Sequence, residues 1–170
     1  MSTLAYPSPD FPGPPSVSLD VPSGWVPAQV PGTNLAATLP REGAFAPNVV
    51  VSVESCDPGF VEAQSLSRIA SLAKSRGGTT SEPYAAELGG ARFVGCDATW
   101  PDEDVETILQ ANLFHVVRPA RSGAVSWVIQ VSGSVGGPTA EQDYALIRSV
   151  IATVRVRPWL PGTVGSEGTA

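Results

Sequence analysis

Between Pro83 and Val135 the chain reads almost without interruption as strands joined by tight turns, and no other stretch restricts the fold as much. Tyr84-Ala-Ala-Glu-Leu88 and Ala91 to Trp100 flank Gly89-Gly90, a pair that supplies the positive φ angles of a two-residue hairpin. Pro101 to Asp104 gives a second turn. Val105 to Arg118 then alternates, with Val105, Thr107, Leu109, Ala111 and Leu113 on one face and Ile108 and Phe114 on the other. A turn around Ala120 to Gly123 leads into Val125 to Val131. Strands connected this tightly pair antiparallel, so a meander of about four strands is expected.

The segments on either side supply helices and further strands. Val17, Leu19 and Val21 alternate in a first strand over 17–21; Pro22 and Gly24 end it, and Trp25 is placed to fold back as an apolar plug. Leu35 to Leu39 reads as a short strand and as the candidate sheet edge. Asn48 to Glu54 puts Val49, Val51 and Val53 on one side and Val50 on the other, the pattern of a central strand covered on both faces. After Asp57-Pro58, the residues Phe60, Ala63, Leu66, Ile69, Ala70 and Ala73 recur at spacings of three and four. They predict an amphipathic helix to Arg76, ended by Gly77-Gly78, with Glu62, Arg68 and Lys74 on its charged face. A last helix begins near Pro138 with Thr139 as candidate cap and Glu141 and Asp143 in its first turn. Tyr144, Ile147, Val150, Ile151 and Val154 form its apolar stripe. The fold class is therefore α+β: a largely antiparallel sheet of about six to seven strands with helices packed on it. Five prolines within residues 1–15 predict a flexible arm, 16–157 a single domain, and 158–170 a flexible tail.

Charge and composition narrow the function classes. Sixteen acidic residues against ten basic ones give a net charge of −6, which disfavours nucleic acid and anionic lipid surfaces and suits a basic partner. No segment approaches the roughly 18 apolar residues of a transmembrane helix, and the N-terminus lacks the pattern of a signal peptide, so the chain as written is read as cytoplasmic. Nine of the ten basic residues are arginine. With the abundance of Ala, Gly, Pro and Val, this usage resembles that of GC-rich actinobacterial genomes. Cys56 and Cys96 are far apart and show no Cys-x-x-Cys spacing; they are read as reduced, mostly buried thiols.

Catalytic and metal-binding patterns are weak. His115, the one histidine, falls in a strand with the parity of Leu113 and Ala111, which makes it a structural residue before a general base. No Gly-x-Ser-x-Gly elbow marks a nucleophile. Asp102, Glu103 and Asp104 lack the ligand spacing of a calcium loop and read as a solvated hairpin tip. The pairs Gly77-Gly78 and Gly136-Gly137 lack the companions of a phosphate loop and read as helix punctuation. No cofactor or metal is expected. Of four tryptophans, Trp127 is assigned to the core, while Trp25, Trp100 and Trp159 sit at strand ends or beside proline, where an indole covers a sheet end or anchors an interface. If the chain docks on a partner, Trp25, Trp100, Trp159 and the Asp102–Asp104 turn form the candidate interaction surface.

Five pieces in order carry a family resemblance: Val17-Ser-Leu-Asp-Val-Pro-Ser-Gly-Trp25; the valine strand 49–53 followed by Asp57-Pro58; Leu88-Gly-Gly-Ala91; the long strand from Leu109 to Pro119; and Gly123-Ala-Val-Ser-Trp-Val-Ile-Gln-Val131. Across about residues 15–156 the chain resembles the mycobacterial LpqN/LpqT lipoprotein family, whose domain is of the Mog1/PsbP-like type. The resemblance implies an α/β/α sandwich and a binding or assembly role without a catalytic centre. Family members begin with a signal peptide and an acylated cysteine; here the first cysteine is Cys56, inside the domain. If the chain has been trimmed at its front, the cell envelope is the implied location. The expected function is thus a non-enzymatic module that binds another protein, with a homodimer through an edge strand also allowed. The alternative is a small hydrophobic ligand or lipid carrier with an apolar gap between the sheet and helix 60–76. A hydrolase using His115 comes third.

Overall fold

The computed structural model describes Leu4 and residues 6–119 and 125–159. The expected turn at 120–123 and residues 160–170 of the tail lie outside the described residues. Among the described residues, ten strands and two helices follow in the order β1 (Ser16–Ser18), β2 (Val26–Pro27), β3 (Leu35–Thr38), β4 (Asn48–Cys56), α1 (Glu62–Ser75), β5 (Thr79–Thr80), β6 (Tyr84–Leu88), β7 (Ala91–Asp102), β8 (Glu106–Val117), β9 (Ser126–Gly136), α2 (Ala140–Ile151) and β10 (Arg155–Arg157). Eight of the strands form one sheet in the order β2-β3-β4-β9-β8-β7-β5, with β6 also paired to β7. Every pairing is antiparallel. The meander read from Pro83 onward is β6 to β9. Its first turn is made by Gly89 and Gly90 at φ 57° and 84°, left-handed values that a β-carbon would disfavour at both positions.

One helix lies on each face, which makes the α/β/α sandwich. On the α2 face, alternate residues of the central strands meet the helix: Val49 and Val51 of β4, Ala111 and Leu113 of β8, and Ile129, Val131 and Val135 of β9 are buried with Ile147, Val150 and Ile151. Trp25 is buried as part of this core. A smaller core on the other face joins Ile69 and Ala73 of α1 to Cys96, Ala98 and Trp100 of β7 and Phe114 of β8. Period-two burial in the strands and burial every fourth residue in α1 are the two geometries that produce this layering.

Four expectations are corrected. The first strand is only Ser16–Ser18 and leaves the main sheet to pair with β10, because the chain turns away early enough to leave Val21 exposed. The strand at Leu35 is not the outermost one. β2 pairs along it and Ala28 N–H donates to the Ala36 carbonyl at 2.9 Å, so its backbone is occupied on both sides. In α1 the buried stripe is Ser65, Ile69 and Ala73, with Ala63 and Ala70 exposed. Glu62, expected on the solvent face, accepts the Val116 N–H at 3.2 Å, which turns this side of the helix toward the sheet. Finally, β4 is central but fully covered on one face only: Val50 and Ser52 are half-buried and Glu54 is exposed. This last difference sets up the site.

Candidate functional site

The face of β9 that meets α2 is Ile129, Val131, Gly133 and Val135; the opposite face is Val128, Gln130, Ser132 and Ser134. A polar face contributes little transfer free energy to a covering helix. Accordingly α1 lies mainly over β5, β7 and β8, and the same face of β4 and β9 beside it is largely without a helix above it, its residues half-buried and Glu54 exposed. Their polar groups are satisfied within the sheet plane: Gln110 donates to the Ser134 hydroxyl at 2.9 Å, Gln130 to the Ser132 hydroxyl at 2.9 Å, and Ser132 to Asn112 Oδ1 at 3.0 Å.

Where this floor meets α1 there is a cleft of about 550 Å³. Register builds its floor, since residues directly opposite each other share a face. One row runs Ser52, Gln130, Phe114 and the next Glu54, Val128, Val116, with Cys56 opposite Ser126 beyond them. Ser65, Arg68 and Ile69 of α1 form the wall, and the connection through Asp57, Pro58 and Phe60 closes one end. The Arg68 guanidinium lies 5.7 Å from the centre of the Phe60 ring, and Arg118 donates to the Phe60 carbonyl at 3.0 Å. Burial pushes the Cys56 thiol above its ordinary pKa, partly opposed by Arg118, and burial does the same to Cys96 in the small core. Neither thiol is activated as a nucleophile by its surroundings, because protonation is favoured. The expected gap between the sheet and helix 60–76 thus exists, but with a mixed polar and apolar lining.

A second polar cluster sits on the α2 face. Tyr84 and Tyr144 donate to the two carboxylate oxygens of Asp97 at 2.8 and 2.6 Å, and Arg148 donates to the Tyr84 hydroxyl at 2.7 Å while lying 5.2 Å from the centre of its ring. Burial, then the hydrogen bond and charge of Asp97, push Tyr84 up to about 12 and raise Tyr144 as well. The cluster ties β6, β7 and α2 together. Arg41, Thr139 and Asp143 do the same for the 40–47 connection, with Asp143 buried at 3% exposure and Thr139 donating to it at 2.6 Å.

Of the residues singled out from sequence, Trp25 and Trp100 fall in different cores, while Trp100 shares β7 with Asp102. Trp25 and Trp100 are buried at 8% and 7% exposure, Trp100 beneath the Arg76 guanidinium, whereas Trp127 and Trp159 are half-buried. Trp159 lies against Gly13, which is itself buried, as is Pro15. Asp102, Glu103 and Asp104 stand at the β7–β8 tip, where Asp102 accepts the N–H groups of Asp104 and Val105. His115 Nδ1 lies 2.9 Å from the Arg92 carbonyl and its ring centre 5.1 Å from that of Phe93, a setting that holds the imidazole against the sheet. No group of three or more metal-ligating side chains occurs among the described residues. Sequence reading did not single out Glu54, Ser65 or Gln130. The available signal was the four-residue spacing Ser65, Ile69, Ala73, and the polar alternate positions of β9.

No family model and no curated protein matches this chain. Among solved structures it is similar to LpqN of Mycobacterium tuberculosis, described as involved in cell envelope biogenesis, at a TM-score of 0.68 and 16% identity over 90% of this chain and 88% of that one. It is also similar to CyanoP, the PsbP of the cyanobacterium Synechocystis, at a TM-score of 0.52 and 12% identity over 92% of this chain and 98% of that one. At these identities the likeness is one of fold: the domain shares its architecture with LpqN and CyanoP. No helix among the described residues is long and apolar enough to cross a membrane.

Proposed function

We propose that this chain is a non-enzymatic accessory module that binds another protein across the largely uncovered part of its sheet and the adjoining cleft. The observation that carries the reading is the offset of α1, which leaves that face of β4 and β9 largely without a helix above it and opens a cleft of about 550 Å³ at the boundary. Its floor mixes Phe114 and Val128 with Gln130 and Ser52, a small apolar centre with a polar surround, which is the anatomy of a protein contact. LpqN-like and PsbP-type neighbours support an accessory role, and the part described for LpqN makes the cell envelope the setting in which to look for the partner. The acidic tip at Asp102–Asp104 and half-buried Trp159 are secondary contacts in this reading.

The test is affinity capture from soluble and envelope fractions of the native host, with cross-linking through carboxylates because Lys74 is the single lysine. A stoichiometric partner should cross-link at the cleft and be lost from Ser65→Phe, which fills it, but not from Glu87→Lys on β6. Capture indifferent to Ser65→Phe would refute the placement. The size of the cleft favours a second reading, a carrier of a small hydrophobic molecule. Native mass spectrometry distinguishes it, since a carrier should show a co-purified mass that Ser65→Phe removes.

A further inference from the structure

Resting on the reading of the cleft as a protein-binding site, the geometry points to a particular class of partner: an extended segment in which an apolar side chain is followed by arginine or lysine. Three observations converge. The centre of the floor is lined by apolar side chains, buried Phe114 and Ile69 and half-buried Val128. At its rim Glu54 and Asp57 form no ion pair among the described residues. Of the two cations at this end, Arg68 is turned onto the Phe60 ring and Arg118 donates to the Phe60 carbonyl at 3.0 Å.

Ser65 adds the detail that distinguishes a binding surface from an idle hollow. It is 6% exposed and lines the cleft, yet its hydroxyl has no hydrogen-bond partner among the described residues. No fully buried side-chain polar atom among the described residues lacks a partner, so that hydroxyl keeps some contact with solvent, and Ser65 lines the cleft. A nearly buried hydroxyl loses most of its water, and a backbone carbonyl or N–H brought in by a peptide would restore the missing bond. The volume accommodates two or three side chains, smaller than a folded domain's contact and suited to a linear anchor. The net charge of −6 attracts a basic segment from a distance, and the Glu54 and Asp57 carboxylates, which form no ion pair among the described residues, fix its register at the rim.

Three acetylated ten-residue peptides serve as probes, alternating leucine with arginine, with serine or with glutamate. Binding to the full chain is followed by titration calorimetry and by backbone amide shifts. The arginine peptide should bind at least tenfold tighter than the serine peptide, shift the amides of Ser65, Val128 and Gln130, and weaken as salt is raised. Glu54→Lys, at an exposed position and thus safe for folding, should abolish that preference, and Ser65→Ala should weaken binding severalfold. Equal affinity for all three peptides, or shifts confined to the Asp102–Asp104 tip, would overturn the inference. If the native partner is captured through the cleft but survives Glu54→Lys, the protein-binding reading stands and the basic-segment inference falls. If neither capture nor peptide binding depends on Ser65→Phe, both fall.

Discussion

Gly133 lies in the middle of the central strand β9, where a β-branched residue would ordinarily be favoured, and the seating of α2 explains it. A β-carbon placed there would come within 2.8 Å of Ile147 Cδ1, 3.0 Å of Ile151 Cδ1 and 3.3 Å of Ile147 Cβ. Normal contact is about 3.5 Å or more, so the first methyl must give way by about 0.7 Å. Both isoleucines are stiff at χ1 in a helix, which leaves χ2 rotation or a shift of α2 as the escape. Overpacking of this kind costs about 1–3 kcal/mol, while replacing a strand glycine by alanine returns about 0.5–1 kcal/mol of backbone entropy. Gly133→Ala should therefore destabilise by about 1–2 kcal/mol. Ile147→Val alone should cost about 1 kcal/mol through the lost methyl. Combined, they should cost less than the sum of the two, because the missing Cδ1 makes the closest of the three contacts. Urea unfolding followed by tryptophan fluorescence measures all three, with the cycle expected to show coupling of about 1 kcal/mol. Additivity within about 0.5 kcal/mol would show that the helix does not sit this close to the strand, and would refute the reasoning.

Two further outcomes follow from the polar clusters. Arg41→Ala strands the Asp143 carboxylate, whose side chain is 4% exposed, whereas Asp143→Ala frees an arginine already 30% exposed. The first should cost about 3 kcal/mol and more than the second, and the double variant should be more stable than Arg41→Ala alone; the reverse order in urea melts would mean that Asp143 is not buried. For Tyr84, with a folded pKa pushed from 10 up to about 12, the stabilisation is complete below pH 10 and is lost as pH rises from 10 to about 12, because the unfolded chain gives up that proton first. Ultraviolet titration of the native protein against Tyr84→Phe should show one tyrosine ionising near pH 12; ionisation near 10 would show that the Asp97 cluster is not formed.

The local pattern of this chain determined its elements. Gly89-Gly90 compels a hairpin through left-handed backbone, the alternation in 105–118 and 125–131 compels long strands, and four-residue spacing produces both helices, so the antiparallel sandwich follows from short-range rules. The candidate site does not follow from them. Alternation shows that Gln130, Ser132 and Ser134 share a face, but whether water or a helix lies above them depends on which strands α1 chooses to cover. That choice is made by Cys96, Ala98 and Trp100 on β7, whose alignment with Ile69 and Ala73 spans some thirty residues of chain. Likewise Trp100 has the surroundings of an interface anchor in sequence and is buried because Ile69, Ala73 and Arg76, more than twenty positions away, come to rest against it. The Tyr84–Asp97–Tyr144–Arg148 tie joins residues up to 64 positions apart. Period and turn chemistry act over neighbours along the chain and are written there; coverage, the pairing of charges and the opening of a cleft depend on where elements far apart in sequence come to rest, and only the tertiary structure decides them.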